Sequence, residues 1–467
     1  MPKITISPIT RISGLLSIDI MLDSNRVVQE ANCSGEQFRG FELMLKGRQP
    51  EDAVYFTERI CGICSMAHGY TSTRLVRKIL GLEPTPEIVL LEQCLLGAEF
   101  LQNHIRHFYL LALPDYLPAA ALPRINQGLS PETAPGFDVN VSQAQQHMLL
   151  EHYFRAMEAS RKCHEMLAVF GGKIPHQHGM TAAGVAVIPT ASRQVQFRSL
   201  LHQVQDFIHE AFLPDLHFIA ERYPDYETIG AGPNRFLCFG LFDPRYGGHF
   251  PAGIMVDGRP QTINPRAIRE DIRYSWYQET TENPLPEKPG AYSWVKAPRY
   301  QGLAFEGGPL ARKVIASGLT GTTIAGTIPR LAARAEEAAL IASWMEEWMN
   351  YLPQTGRYTA QPTGVPRSDA IQINDAPRGP LLHAMMVSGG TIGRYTVITP
   401  STWNFSPKDD HGERGPAEAA LVGTVLADIK HPLEVGRIIR AFDPCLSCAT
   451  HFIARQGENQ IHFDLEV

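Results

Sequence analysis

Arg59-Ile60-Cys61-Gly62-Ile63-Cys64-Ser65-Met66-Ala67-His68 and Asp443-Pro444-Cys445-Leu446-Ser447-Cys448-Ala449-Thr450-His451 stand near opposite ends of a chain of 467 residues. Each stretch holds a Cys-x-x-Cys pair trailed by a histidine. Four thiolates make a soft donor set for a thiophilic metal. If the pairs meet, the chain closes its two ends around one site, and no boundary can separate an N-terminal from a C-terminal domain. A structural zinc site is the commonest use of two such pairs. Zinc ribbons, however, place their pairs about 15–20 residues apart, whereas nearly the whole chain separates these.

Working outward from the pairs, the remaining cysteines Cys33, Cys94, Cys163 and Cys238 lack cluster spacing and read as buried small hydrophobes. Eight cysteines in so long a chain do not make a disulfide framework. A hydrophobic content of 44% is ample for a core. The formal net charge of −6, with no Lys/Arg-rich run, argues against nucleic acid or an anionic membrane surface as the main partner. No apolar run reaches the roughly 18 residues of a spanning helix, and Met1-Pro2-Lys3-Ile4-Thr5 lacks the regions of a signal peptide. The expectation is a chain that folds in the cytoplasm with no membrane span of its own.

Leu16, Ile18, Ile20 and Leu22 alternate with mostly polar neighbours before Asp23-Ser24-Asn25, and Val27-Val28 resume the apolar character, which predicts an N-terminal β-hairpin. Thr85-Pro86 reads as an N-cap with proline at the first helical position of a helix running to about Ala112. Ser142 opens a second long helix ending at Gly171-Gly172, and further helical patterns cover about Arg193 to Ile219 and Leu331 to Leu352. On the last, Leu340, Ile341, Trp344 and Trp348 are expected inward, with Ala and Glu outward. Tyr223 to Pro329 is Gly-, Pro- and aromatic-rich and reads as strands and loops packed on the helices. The predicted fold class is mainly α with α+β features: a long-helix bundle core, an N-terminal β-hairpin and an irregular Gly/Pro-rich middle, in one large domain.

With Phe38-Arg39-Gly40-Phe41-Glu42, Gly171-Gly172-Lys173, Pro175-His176, Ala376-Pro377-Arg378-Gly379 and Pro400-Ser401-Thr402-Trp403-Asn404 in order between them, the two cysteine stretches resemble the signatures of the nickel-iron hydrogenase large subunit. The resemblance covers nearly the entire chain. It implies a nickel held by four thiolates, with Cys61 and Cys445 terminal and Cys64 and Cys448 bridging to an iron that carries carbon monoxide and cyanide. It implies the reversible heterolytic cleavage of dihydrogen, with H2 uptake as the expected direction. A metal with an open position polarises H2 as a Lewis acid while a nearby base takes the proton.

The resemblance places a basic terminal thiolate at Cys445 and points Arg378 at the open metal position. Arginine is essentially never deprotonated, so an electrostatic role suits Arg378; its plain alternative is an ion pair, with Asp443 as the candidate partner. Pro400 and Ser401 match residues around a cyanide ligand. His68, four residues after Cys64 and hence on the same helical face, is positioned to hydrogen-bond a bridging sulfur. Glu42 and His451 resemble ligands of a second, structural metal, usually magnesium, with a backbone carbonyl near Val397 as the third protein ligand.

Arg11-Ile12-Ser13-Gly14-Leu15 stands where many members have Arg-Ile-Glu-Gly-His, so Ser13 replaces the glutamate assigned to passing protons, and Asn103 sits where some members carry aspartate. Glu36, or a water chain through Ser13, is the substitute expected here. Residues 452–467 follow His451 and correspond to a tail that a maturation endopeptidase removes in the family once nickel-insertion factors have loaded the metal; the domain is then 1–451. A C-terminal strand is the plain alternative, since Ile461, Phe463, Leu465 and Val467 alternate. Because this chain has no cysteine cluster for an iron-sulfur relay, electrons must leave through a partner, and the resemblance implies a small subunit carrying those clusters. The final location is then cytoplasmic, or membrane-associated through that subunit. The competing readings are an H2-sensing regulatory subunit with slow turnover, and a respiratory-complex relative or structural zinc protein without hydrogen chemistry.

Overall fold

Two antiparallel strands, β1 (Lys3–Ile6) and β2 (Leu16–Leu22), are joined by β3 (Val28–Gly35) into a sheet of order β1-β2-β3. The expected hairpin is β2–β3, with Leu16, Ile18, Ile20 and Leu22 all buried. The structure is a computed structural model that describes residues 2–118, 140–278, 283–318 and 325–449. His451 and the tail 452–467, with its alternating apolar residues, lie outside the described residues.

The long helices follow. α1 (Ser65–Leu80) starts directly after Cys64. α2 (Pro86–Arg106) has proline at its first position as expected, but the Thr85 hydroxyl donates to Arg357 O (2.6 Å) and does not cap it. It runs on through a π-helical stretch, His107–Ala112, into a 3-10 turn, Leu113–Tyr116, where Pro114 sits at the start and its missing N–H costs nothing. α3 (Gln143–Gly171) opens on a capping box between Ser142 and Gln145 and stops at left-handed Gly172. α4 (Ala191–Phe207) continues through a π-helical stretch into the helix Leu213–Arg222, and α5 (Thr327–Tyr351) closes the set. α2 packs against both α3 and α5, and α3 against α4.

On α5, Ile341 and Trp348 are buried as expected, but Leu340 is 47% exposed and the alanines Ala335, Ala338 and Ala342 face inward. The inward stripe runs through Arg330, Arg334, Glu337, Ile341 and Met345, because its charges are paired: Glu337 takes both Arg312 and His104. A reading by hydrophobicity alone places that stripe one residue off.

The Gly/Pro-rich middle is more regular than its composition suggests. β4 (Arg235–Leu241), β5 (Phe250–Val256) and β6 (Arg259–Gln261) form a sheet, Ile268–Asp271 pairs with Ala297–Tyr300, and Pro309–Ser317 is a helix. A third three-stranded sheet, β7 (Asp369–Ala376), β8 (Gly379–Ser388) and β9 (Thr391–Ile398), was not expected; it packs on α1. Pairing of Ala376 with Gly379 leaves Pro377 and Arg378 as the tight turn of a hairpin. The result is one domain of mixed helix and sheet.

The two ends of the chain meet directly. Ser13 pairs with Cys445 in a parallel bridge, Ser13 N donating to Pro444 O (3.2 Å) and Leu446 N to Ser13 O (2.7 Å). Gly14, at φ 89°, makes this approach possible, since a Cβ there would stand 2.4 Å from Ser447 N and 2.9 Å from Leu446 C. Both obstacles are backbone and cannot rotate away. A Gly14→Ala variant is therefore expected to lose about 1–3 kcal/mol of stability, read as a lower Tm, and to displace the Cys445–Cys448 turn, read as reduced metal content. An unchanged Tm would contradict this account of the junction.

Candidate metal centre

Cys64 occupies the N-cap position of α1, with Cys61 three residues before it, and Cys448 lies in the short helix Leu446–Ala449 that Cys445 precedes. The pairs therefore sit at helix starts. Cys61 Sγ is 3.4 Å from Cys445 Sγ, Cys64 Sγ is 3.6 Å from Cys448 Sγ, and Cys445 Sγ is 2.9 Å from Cys448 Sγ. All four ligand atoms fall within 4.8 Å of one another and all four residues are buried. Metal–sulfur bonds of about 2.3 Å put adjacent sulfurs about 3.3–3.8 Å apart and opposed ones up to about 4.6 Å, so the 3.4 and 3.6 Å separations fit a single thiolate-bound centre, while Cys445 and Cys448 would have to open by a few tenths of an ångström to share it. The other cysteines, Cys33, Cys94, Cys163 and Cys238, are fully buried elsewhere, as expected.

Two side chains lock the cysteine turns. The Arg39 guanidinium donates to Ile60 O, to Arg59 O (3.2 Å) and to Ser447 O (2.8 Å), tying the first turn to the second. The buried Glu99 carboxylate accepts from Met66 N (2.7 Å) and Ala67 N (2.8 Å), satisfying the start of α1 immediately behind Cys64. Burial raises Glu99 to about 8. Sequence reasoning singled out neither: Arg39 was only part of a matching block, and Glu99 had no motif signal.

Hydrogen bonds from Cys448, Cys61 and Cys64 hold the Cys445 thiol well below its ordinary range, and the Arg378 charge adds to this; burial pushes the Cys448 thiol up. Arg378 reaches the same cavity from its hairpin turn. Its Nε donates to Asp443 O (3.1 Å), one terminal nitrogen donates to Asn103 Oδ1 (3.0 Å), and the other pairs with Asp443 Oδ1 (3.0 Å). Against burial, Asp443 and the cysteine sulfurs raise its affinity for the proton, so the cation persists. The ion pair with Asp443 and the place at the cavity are both present. Asn103 is itself held, donating to Ile63 O (2.7 Å) and Glu99 O (2.9 Å).

The cavity is small and is lined by Cys64, Cys445, Cys448, His68, Arg378, Pro400, Ser401 and the Ala376-Pro377 turn. Ser401 Oγ accepts from Cys445 N (2.9 Å), leaving its hydroxyl proton for another acceptor. His68 is buried on α1, and burial lowers it to about 4. The site residues expected around the sulfurs are thus brought together. Glu36, by contrast, is exposed just beyond the end of β3.

A second small cavity is lined by Glu42, Glu270, Lys296, Val397, Thr402 and Ala449. Glu42 is buried, accepts from Val397 N (2.7 Å), and is raised to about 8 by burial. Two carboxylates in one cavity are an oxygen-rich set that fits a hard cation. His451, the expected partner, lies outside the described residues, two positions beyond Ala449. Glu270 and Lys296 carried no sequence signal.

The family model described as nickel-dependent hydrogenase matches residues 39–128 and 135–451, and one described as HoxL-like matches residues 3–38. The chain is 34% identical to the periplasmic NiFeSe hydrogenase large subunit of Desulfomicrobium baculatum, across 98% of this chain and 97% of that one. It is 28% identical to the quinone-reactive Ni/Fe-hydrogenase large chain of Wolinella succinogenes, across 97% and 96%. Among solved structures, the reduced Ni-Fe-Se hydrogenase from D. vulgaris Hildenborough is similar with a TM-score of 0.87 at 34% identity, covering 96% of this chain and 100% of that chain.

Proposed function

The chain belongs to the nickel-dependent hydrogenase family as a large subunit, and from that premise we propose that Cys61, Cys64, Cys445 and Cys448 hold its nickel and iron. The protein is a nickel-iron hydrogenase, an oxidoreductase acting on H2, and uptake is the direction read here. All four candidate ligands are cysteines, so the reading is nickel-iron rather than nickel-iron-selenium. Cys61 and Cys445 are assigned as terminal and Cys64 and Cys448 as bridging. The observation that carries the assignment is the convergence of all four sulfurs within 4.8 Å of one another, with Arg378 lining the same cavity as three of them. The sensor alternative draws no support from the relatives, which are described as enzymes.

Bound there, the metals would supply an open, Lewis-acidic position that polarises H2. The protein's own groups do the rest. Cys445 Sγ, at the same cavity as Arg378, is assigned to accept the proton, and the Arg378 cation stabilises charge developing beside it. Asp443 and Asn103 keep that cation aimed while partly neutralising it. Pro400 and the free proton of Ser401 suit an apolar wall and a donor for carbon monoxide and cyanide on the iron.

Glu42, a carbonyl near Val397 and His451 are assigned to magnesium. Glu42→Gln keeps an oxygen acceptor for Val397 N but loses the charge, so it is expected to lower magnesium per chain and Tm together; magnesium retained at full stoichiometry would remove Glu42 from the ligand set. The long helices serve as the bundle core of this scaffold, residues 1–451 as the functional domain, and 452–467 as the tail removed by an endopeptidase after nickel insertion. Electrons pass to an iron-sulfur small subunit. No described helix is long and apolar enough to cross a membrane. The location assigned is the cytoplasm, or a membrane reached through the partner.

The test is an infrared spectrum of the natively matured protein in the region of metal-bound carbon monoxide and cyanide stretches. Bands there are expected. Their absence from protein that contains metal and lacks the tail would overturn the nickel-iron assignment in favour of another thiolate site.

A further inference from the structure

Arg378 is held by more than its own hydrogen bonds, because the paired charges buried on α5 run back to the turn that carries it. The Arg312 guanidinium, on the helix Pro309–Ser317, donates to both Glu337 carboxylate oxygens (2.7 Å each), to Asp375 Oδ2 (2.6 Å), to Ala376 O (3.2 Å) and to Pro377 O (3.0 Å). Those five acceptors use all five N–H groups of an arginine. Two of them are the carbonyls immediately before Arg378. The start of the Arg312 helix also abuts the turn: Gly379 has φ 126°, and a Cβ there would stand 2.7 Å from Gly308 N and 2.8 Å from Gly307 C.

From Glu337 a second arm reaches the Arg378 side chain. His104 Nε2 lies 2.8 Å from Glu337 Oε1, and His104 Nδ1 lies 3.2 Å from Arg334 Nη1. An arginine only donates, so His104 Nδ1 accepts and Nε2 carries the proton given to Glu337. Burial lowers His104 to about 4 and keeps this neutral form. Arg334 Nη1 also donates to Asp443 Oδ2 (3.2 Å), and Asp443 Oδ1 faces the Arg378 guanidinium (3.0 Å). The line that leaves Arg378 through its side chain thus returns to it through its backbone. Arg312, Glu337, His104, Arg334 and Asp443 are all buried, and donors meet acceptors at every step of the ring.

We propose that Arg312 and Glu337 are positioning residues for H2 cleavage: together they fix the backbone of the Arg378 turn and, through His104, Arg334 and Asp443, the direction of its guanidinium. Neither lines the cavity of the cysteine sulfurs, so each acts through Arg378. A cation held by its backbone and by its side chain at once does not have to reorganise as charge develops beside it, which is what makes an electrostatic group effective.

This inference rests on the reading of the four cysteines as nickel and iron ligands, and absent infrared bands in the unsubstituted, matured protein would defeat that reading rather than the ring. The ring has its own test in Arg312→Lys, which keeps the charge but offers three donors to five acceptors. A crystal structure of this variant, with or without metal, is expected to show the Pro377-Arg378 turn displaced and the Arg378–Asn103 hydrogen bond lost. Turnover per bound nickel is expected to fall about 10–100-fold. In an Arg378→Lys background the same substitution should change it by less than about twofold, because residues acting through one group do not add. Looser folding alone would lower the rate equally in both backgrounds. Arg378 still bonded to Asn103 in the Arg312→Lys structure, or rate losses that multiply, overturns the proposal. If Arg312→Lys does not fold, His104 decides: His104→Gln keeps an acceptor for Arg334 and a donor for Glu337 and is expected to keep the parent's turnover per nickel, whereas His104→Leu breaks the ring and is expected to lose it. Equal turnover in the two overturns the proposal.

Discussion

Replacing Cys445 by serine is expected to take H2 turnover to background and to strip nickel from the purified protein. Serine is nearly isosteric, but its hydroxyl stays protonated where the thiol ionises, and a hard oxygen replaces a soft sulfur donor. Cys445 lies 2.9 Å from Cys448 Sγ and 3.4 Å from Cys61 Sγ, and in the reading above its loss removes both a ligand and the proton acceptor. Nickel analysis and dye-linked H2 oxidation are the measurements. Cys163→Ser is the control: Cys163 is equally buried but lies away from the centre, so it should lose stability by about 1 kcal/mol and keep its nickel. Nickel retained in full by Cys445→Ser would remove that residue from the ligand set.

Arg378→Lys should separate metal binding from catalysis. The guanidinium makes a fork, one arm on Asn103 Oδ1 and the other on Asp443, with Nε on the Asp443 carbonyl. Lysine keeps the charge but cannot hold three acceptors in one plane, so the charge swings away from the site where it is needed. Loss of one preorganised electrostatic group costs about 10²–10³ in kcat, or roughly 3–4 kcal/mol of barrier. Nickel content should be unchanged, since Arg378 bonds none of the cysteines. A rate within about threefold of the parent would assign Arg378 to the structural ion pair alone.

What the sequence revealed divides along a physical line. The four cysteines, Arg378, Ser401 and His68 were legible because each sits in a short motif whose chemistry is local, and the β2–β3 hairpin and the Ser142 cap because their signals span a few residues. β7 was hidden because its fully buried positions include Gln372, Asn374 and Asp375 while Ile371 and Ile373 are only half-buried, the reverse of the usual pattern. Leu340 was misplaced for the related reason that α5 buries paired charges. Lys296 and Glu270 reach their cavity beside Glu42 only through tertiary packing.

The junction of Ser13 with Cys445 has a further consequence in time. Cys64 and Cys448 are 384 positions apart, and at synthesis rates of about 5–20 residues per second the first pair waits roughly 20–80 s for the second to exist. Closing so long a loop costs about 5–6 kcal/mol of chain entropy, which only a nearly finished fold can offset. The ligand set is therefore a late event, complete only when almost everything between its halves has been made and packed, and metal uptake becomes a readout of successful folding. Until then Cys61 and Cys64 are two unsatisfied thiols on a growing chain, and a cell that makes this protein has to shield them from whichever thiophilic ion arrives first.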